Sequence, residues 1–242
     1  MPPSRRTPID RHGLRQTAGR RLIVVEAAAE TLDSALAAER AGADRIELCA
    51  NLSDGGTTPG VRLIGDVVQR IHLPVFVLIR SRAGDFVYSN DEFEQMIRDI
   101  ELAGTMGIAG IVTGALTSDG RVDAERTRIL VEAASGLPVT FHRAIDSTVN
   151  LPAALEVVLE AGASRVLTSG GAATALEGVN IIATLVDQAR ERITIIAGGG
   201  IREHNVRDVI ERSGVGEVHA RLVDEAQMRG LIGVVKKNHR AG

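Results

Sequence analysis

Ionisable side chains lie at or near the ends of several short apolar segments of this chain. Glu26 follows the apolar run 22–25, Glu47 lies within the run 46–49, and His142 follows the run 137–141. Burying a carboxylate beside an apolar strand is costly unless it has a partner or a task. Carboxylates and imidazoles act as general bases and acids. We therefore predict Glu26 or Glu47 as a general base and His142 as a general acid. A structural, buried histidine is the alternative interpretation of His142.

Arginines and glycine-rich turns also lie at or just after the ends of apolar runs. Arg80 follows another apolar run as a candidate anion clamp, and glycine-rich turns let backbone N–H groups approach an anion closely. The predicted substrate-binding residues are Arg80, Arg82, Arg143, Thr168, Ser169, Gly170, Gly198, Gly199, Gly200 and His219. They favour a phosphate or carboxylate ligand. The alternative interpretation is that the glycines only permit tight turns.

Eight β-branched runs, each with room for a helix behind it, must position these residues. The runs span residues 22–26, 42–49, 73–80, 107–114, 137–143, 162–169, 192–200 and 214–219. Alternating strands and helices predict an α/β fold with a parallel sheet, and eight such units predict a (β/α)8 TIM barrel. The 242 residues agree with the roughly 250 typical of such a barrel. We expect a disordered basic tail over residues 1–20 and a single barrel domain over residues 21–242.

Side chains alternate between the inside and the outside of a barrel strand. Ile46 and Leu48 are suited to the helix-facing side, which turns Arg45 and Glu47 inward. We interpret Arg45 as the partner of Glu47 in a structural ion pair, because it lies close to Glu47 and early in its strand. The residues expected to form a ring near one mouth of the barrel are Glu26, Glu47, Cys49, Arg80, His142, Thr168 and His219.

Composition excludes several classes of partner. The net charge is −3 and only 2% of residues are aromatic, so neither an electrostatic surface nor a stacking platform for nucleic acid is expected. No apolar run approaches the ~20 residues of a membrane span. The single cysteine, Cys49, excludes an internal disulfide and suits the cytoplasm. A small anionic molecule or a copper ion is the expected partner, and homo-oligomerisation is left open.

Several motifs, taken together, resemble the CutC copper-homeostasis family. They are residues 41–52, 55–59, 79–86, 140–144 and 167–170, and Gly198-Gly199-Gly200 with Asn205. The resemblance implies a cytoplasmic TIM barrel linked to copper handling, with copper held by cysteines near the barrel mouth. Family members often carry a cysteine in the first strand segment, where this chain has Ala28. Cys49 is therefore the remaining thiol ligand for Cu(I), which favours soft sulfur donors and usually needs more than one.

Two hypotheses about function follow. The resemblance implies a copper-homeostasis protein that binds copper ion through Cys49. The ionisable residues favour instead a barrel enzyme of lyase, isomerase or hydrolase type. It would use Glu/His acid–base chemistry on a small anionic substrate, phosphorylated or sugar-derived. A Schiff-base aldolase is not expected, because none of the predicted strands ends in lysine. Cu(I) is the cofactor candidate that the resemblance implies.

Overall fold

The computed structural model describes residues 22–221 and 224–237. Eight parallel strands close into a barrel in which each strand pairs with its neighbours in sequence and β8 pairs with β1. The strands are β1 (Val24–Ala29), β2 (Arg45–Leu48), β3 (Val75–Leu78), β4 (Gly110–Thr113), β5 (Val139–Phe141), β6 (Arg165–Thr168), β7 (Thr194–Gly198) and β8 (Glu217–Ala220). The predicted (β/α)8 TIM barrel is confirmed. The predicted tail, residues 1–20, lies outside the described residues.

A helix follows each strand and packs on the outside of the barrel. The helices are α1 (Leu32–Ala41), α2 (Val61–Arg70), α3 (Asn90–Gly104), α4 (Ala124–Ala133), α5 (Leu151–Glu160), α6 (Val179–Ala189), α7 (Val206–Ser213) and α8 (Glu225–Lys237). Local sequence sets their ends: Thr31 and Ser34 form a capping box at the start of α1, and Gly42 ends that helix at a φ of 94°. Among the described helices, none is both long and apolar enough to cross a bilayer.

Two apolar layers hold the barrel together. The larger lies between the strands and the helices and contains Ile46 and Leu48, the predicted outward residues of β2. The smaller fills part of the barrel interior with Cys49, Phe76, Leu78 and Val112. Because alternate residues of each strand face these two layers, the polar residues of β1, β2 and β8 are brought together inside the barrel.

The first strand differs from its predicted bounds. It begins at Val24 and continues to Ala29, so Glu26 lies within β1 and not at its end. Ala27 to Ala29 have little intrinsic preference for strands, but they pair with Ile46 to Leu48 of β2. This pairing overrides the weak local preference. It also places Glu26 deeper in the barrel than the sequence predicted.

Candidate active site

The deepest charged residues of the barrel interior neutralise one another. Arg45 on β2 donates from Nε to Glu26 Oε2 at 2.5 Å and from Nη2 to Glu217 Oε2 at 2.5 Å. The strand register sets this arrangement, since Arg45 lies opposite Glu26. The partners of Arg45 are therefore Glu26 and Glu217, and not Glu47 as predicted. Burial alone would raise the pKa of Glu26, but Arg45 and His219 hold it well below its ordinary value. Glu26 is therefore a permanently ionised partner and a poor proton acceptor.

Glu47 lies one layer closer to the mouth, beside His219 of β8. The His219 Nδ1 atom is 2.8 Å from Glu26 Oε1 and 3.4 Å from Glu47 Oε2. Glu47 Oε2 is buried and has no hydrogen-bond partner among the described residues. Burial, with the nearby Glu26 charge, raises the pKa of Glu47 to about 7. Burial lowers the pKa of His219, but the Glu47 and Glu26 carboxylates outweigh it and raise that pKa overall. A carboxyl group that titrates near neutral pH is suited to proton transfer.

His142 immediately follows β5 and contributes a neutral imidazole. Its Nδ1 accepts from the Ala144 N–H at 3.3 Å, which assigns the ring proton to Nε2. Burial and the charge of Arg80 lower the pKa of His142 to about 3. Nε2 is buried and donates to no described residue. This N–H group is available to donate a hydrogen bond to a ligand oxygen.

These groups meet at a pocket of 260 Å³ where the strands end. Four arginines line it: Arg80, Arg143, Arg202 and Arg221. Among the described residues of the lining, Glu47 alone is acidic. A depression of 1190 Å³ at the opposite end of the barrel is larger and is lined by the buried arginines Arg45 and Arg165. Arg45 is paired with carboxylates, and Arg165 donates to Thr140 and stacks on Phe76. We assign the site to the smaller pocket, because barrel chemistry occurs at the carboxyl ends of the strands.

Arg80 and Arg82 differ in their surroundings. Arg80 is buried, donates to the carbonyl oxygens of Gly56 (2.9 Å) and Gly84 (2.7 Å), and stacks 4.7 Å from the Phe86 ring centroid. It therefore joins two mouth loops while its Nε lacks a partner among the described residues. Arg82 binds Glu92 and Asp85 and does not line the pocket.

The other predicted ligand residues separate into lining and supporting groups. Arg143, Gly199, Gly200 and His219 line the pocket, whereas Thr168, Ser169, Gly170 and Gly198 do not. Thr168, Ser169 and Gly170 support the wall of the pocket through contacts behind it. The Thr168 hydroxyl donates to Asp146 at 2.5 Å, and the Ser169 hydroxyl accepts from Arg143 Nη2 at 2.7 Å. A Cβ on Gly170 would collide with the Gly178 carbonyl oxygen.

Asp146 organises this wall. Its carboxylate accepts hydrogen bonds from the Ser169 and Gly171 amides and from Arg143 Nε, at 2.8 to 3.1 Å. Asp146 lies three residues after Arg143, in a 3₁₀ turn that follows β5. One carboxylate thus fixes the loops after β5 and β6 relative to each other.

Sequence reasoning did not include Asp146, Glu217, Arg202 or Arg221 among the site residues. Arg221 directly follows β8 and Arg202 follows the glycines after β7, so a search for charges just beyond strand ends would have found both. Glu217 begins β8 and shares its inward face with His219. The role of Asp146 depends on loops that only the folded chain brings together.

Cys49 is buried beside Leu78 and Phe76, and its thiol lies 3.5 Å from the Ala29 carbonyl oxygen. Burial and the Glu47 charge raise the pKa of Cys49. Among the described residues, the metal-ligating groups that lie close together are Glu26, Glu47 and His219, within 4.8 Å, and Cys49 is not one of them. Glu26 in that group already binds Arg45 and His219. A thiol kept protonated and without a second soft donor does not fit a tight Cu(I) site.

Comparison with known proteins identifies the family. The CutC family model matches residues 23–223. The chain belongs to the CutC family. The human protein named copper homeostasis protein cutC homolog is 48% identical over 196 residues, which cover 81% of this chain and 72% of the human one. A CutC family protein of Xanthomonas axonopodis pv. citri is 47% identical over 81% of this chain and 82% of its own.

Solved structures agree with this assignment. A crystal structure titled as a copper homeostasis protein CutC from Streptococcus agalactiae has a TM-score of 0.79 and 33% identity, and covers 84% of this chain and 100% of its own. Phosphoribosylanthranilate isomerase from Thermotoga maritima has a TM-score of 0.59 and 13% identity, and covers 89% of this chain and 100% of its own. At this identity the likeness shows the barrel fold alone.

Proposed function

We propose that this CutC-family barrel is an enzyme that performs acid–base chemistry on a small anionic substrate, phosphorylated or sugar-derived. The observation that carries the proposal is the content of one pocket. Four arginines line it together with a single carboxylate, Glu47, and two histidines. The arginines favour an anionic ligand. Glu47 titrates near neutral pH, and His142 Nε2 donates to no described residue. Both properties favour chemistry on that ligand.

Each ionisable group has a separate role in the proposed reaction. Glu47 is the general base: its Oε2, which makes no hydrogen bond to a described residue, takes a proton from the substrate and returns it at the next step. His219, held by Glu26, orients Glu47 and stabilises its charge. His142 donates its Nε2 proton in a hydrogen bond to the substrate oxygen on which negative charge develops. Lyase and isomerase reactions that begin by proton abstraction are suited to this set.

The proposal departs from our expectations for two residues. Glu26, a predicted alternative base, is assigned to orientation because Arg45 keeps it ionised. His142, the predicted general acid, is assigned as a neutral hydrogen-bond donor, because an imidazolium is strongly disfavoured at its buried position. We also propose a cytoplasmic location, which the free thiol of Cys49 supports.

Copper handling is the second candidate. The names of the human and Streptococcus relatives support it, as does the position of Cys49 in the same pocket as His142 and His219. Imidazole and thiolate are both ligands of copper. The protonated state of the buried thiol and the four arginines of the lining oppose it.

A thermal-shift screen of the full chain tests both candidates. Cu(I) under anaerobic reducing conditions is compared with a panel of phosphorylated and acidic metabolites. A ligand at 100 times its dissociation constant adds about 2.7 kcal/mol to the free energy of unfolding. We expect a shift with a metabolite that persists in Cys49→Ser, followed by loss of turnover in Glu47→Gln. A shift with Cu(I) alone that disappears in Cys49→Ser would overturn the enzyme proposal.

A further inference from the structure

The peptide N–H groups of Gly199 and Gly200 bond to no acceptor in the described part of the chain. These residues follow β7 at φ values of 104° and 69°, and both line the pocket. Gly199 is half-buried and Gly200 is exposed, so a ligand in the mouth can reach their backbone. Consecutive unpaired amides at positive φ are suited to binding an anion.

The guanidinium of Arg143 lies directly against the same backbone. A Cβ added to Gly199 would lie 3.3 Å from Arg143 Cζ and 3.4 Å from its Nη1. Asp146 holds Nε and Ser169 holds Nη2, while Nη1 has no acceptor among the described residues. The guanidinium is therefore fixed in orientation, and its Nη1 lies against Gly199.

Further positive charge surrounds this point. Arg202 and Arg221 line the same pocket. Arg202 Nη1 donates to the Ile201 carbonyl oxygen at 2.7 Å, and Arg221 Nη1 donates to the Leu52 carbonyl oxygen at 2.6 Å. Asp146 neutralises part of the charge of Arg143, whereas no carboxylate pairs with Arg202 or Arg221 among the described residues. The surplus favours a dianion over a monoanion.

We propose that Gly199, Gly200 and Arg143 form a subsite for the phosphate group of a phosphate monoester. The three terminal oxygens of such a group accept from the two amides and from Arg143 Nη1, and Arg202 and Arg221 supply the remaining positive charge. A carboxylate has two oxygens and one negative charge, so it satisfies this set less completely. The inference rests on the proposed function, because this phosphate is the anionic end of the proposed substrate.

Asp146 is a positioning residue for the subsite. It does not line the pocket, but it fixes Arg143 and the loop after β6 through five donors. Removing its charge in Asp146→Asn should release Arg143 without removing any donor to phosphate. We expect weaker phosphate binding, with a smaller loss than in Arg143→Gln.

Isothermal titration of the full chain with inorganic phosphate and, separately, acetate tests the subsite. We expect saturable phosphate binding that weakens at least about tenfold in Arg143→Gln, because one charge-assisted contact is lost. Arg98→Gln, an exposed arginine of α3 bonded to Gln95, is the matched control and should bind as the wild type does.

The outcomes separate the subsite from the proposed function. Phosphate binding that Arg143→Gln leaves unchanged would overturn the subsite. Binding of acetate without phosphate would also overturn it, while leaving an anionic substrate in place. Failure of both anions to bind would overturn the subsite and remove the support for an anionic substrate.

Discussion

The inner layer of the barrel and its mouth contain similar residue types, but the charged groups of the inner layer are paired with one another, whereas polar atoms at the mouth lack hydrogen-bond partners in the described part of the chain. In the inner layer Arg45 pairs with Glu26 and Glu217, and all three side chains are buried. At the mouth, Glu47 Oε2 and His142 Nε2 are buried without a hydrogen-bond partner among the described residues. Arg165 is intermediate: it donates to Thr140 and stacks on Phe76, and its Nη2 is unpaired among the described residues.

The difference separates stability from function. A buried ion pair satisfies its own members and makes the loss of either one costly. A buried polar atom without a partner is unfavourable in the free protein and is kept where a ligand completes its bonding. Residue type alone would give Glu26 and Glu47 the same role, whereas their partners give them different ones.

Breaking the inner layer should have the largest effect on folding. Arg45→Ala leaves Glu26 and Glu217 buried without their cation, and we expect a loss of about 3 to 5 kcal/mol in the free energy of unfolding. Urea denaturation at neutral pH measures it, with Arg98→Ala as an exposed control within about 0.5 kcal/mol of the wild type. A loss below 1 kcal/mol in Arg45→Ala would contradict a structural role.

Glu47→Gln should show the reverse pattern. Once a substrate is known from the thermal-shift screen, we expect kcat to fall at least about 100-fold, because the general base is gone. The free energy of unfolding should change by less than about 1 kcal/mol, because Glu47 Oε2 makes no hydrogen bond to a described residue and lies 3.4 Å from His219 Nδ1, which keeps its bond to Glu26. Steady-state kinetics and urea denaturation on the same preparation give both values. Unchanged kcat would remove Glu47 from the mechanism.

The burial of neutral His142 should make stability depend on pH. Its pKa is about 3 when folded, against an ordinary value of 6.5, because of burial and the charge of Arg80. Below pH 6.5 the unfolded chain binds a proton that the folded chain does not, so stability falls as the pH falls. Between pH 7 and pH 5 this group should cost about 2 kcal/mol. His142→Gln should lack that part of the slope, and equal slopes in both proteins would contradict it.

Arg82→Gln should have the smallest effect on the site. Its guanidinium binds Glu92 and Asp85 outside the pocket. We expect the dissociation constant for phosphate to change by less than about twofold, since exposed pairs contribute little and the residue does not touch the pocket. The same titration as for Arg143→Gln measures it. A loss equal to that in Arg143→Gln would move the proposed subsite toward the loop after β3.

The fold could be predicted from spacing because eight apolar runs with helices between them repeat a local pattern. The inward set Glu47, Cys49 and His219 could also be predicted, since alternation along a strand needs only one known face. Thr168 was expected in the ring at the mouth, but it donates to Asp146 behind the pocket wall. The local sequence does not specify whether a residue at a strand end faces the mouth or the neighbouring loop.

The amino-acid sequence by itself determined the strands, the helices, the barrel and the residue types at its mouth. These follow from hydrophobic periodicity, caps and turn residues, which act within a few positions of one another. Only the tertiary structure decided that Arg45 binds Glu26 and Glu217, that Glu47 Oε2 makes no hydrogen bond to a described residue, and that Asp146 binds the loop after β6. Those differences depend on contacts between residues up to 172 positions apart. The physical reason is that strand register and burial, and not local propensity, set the partner and the pKa of each charge.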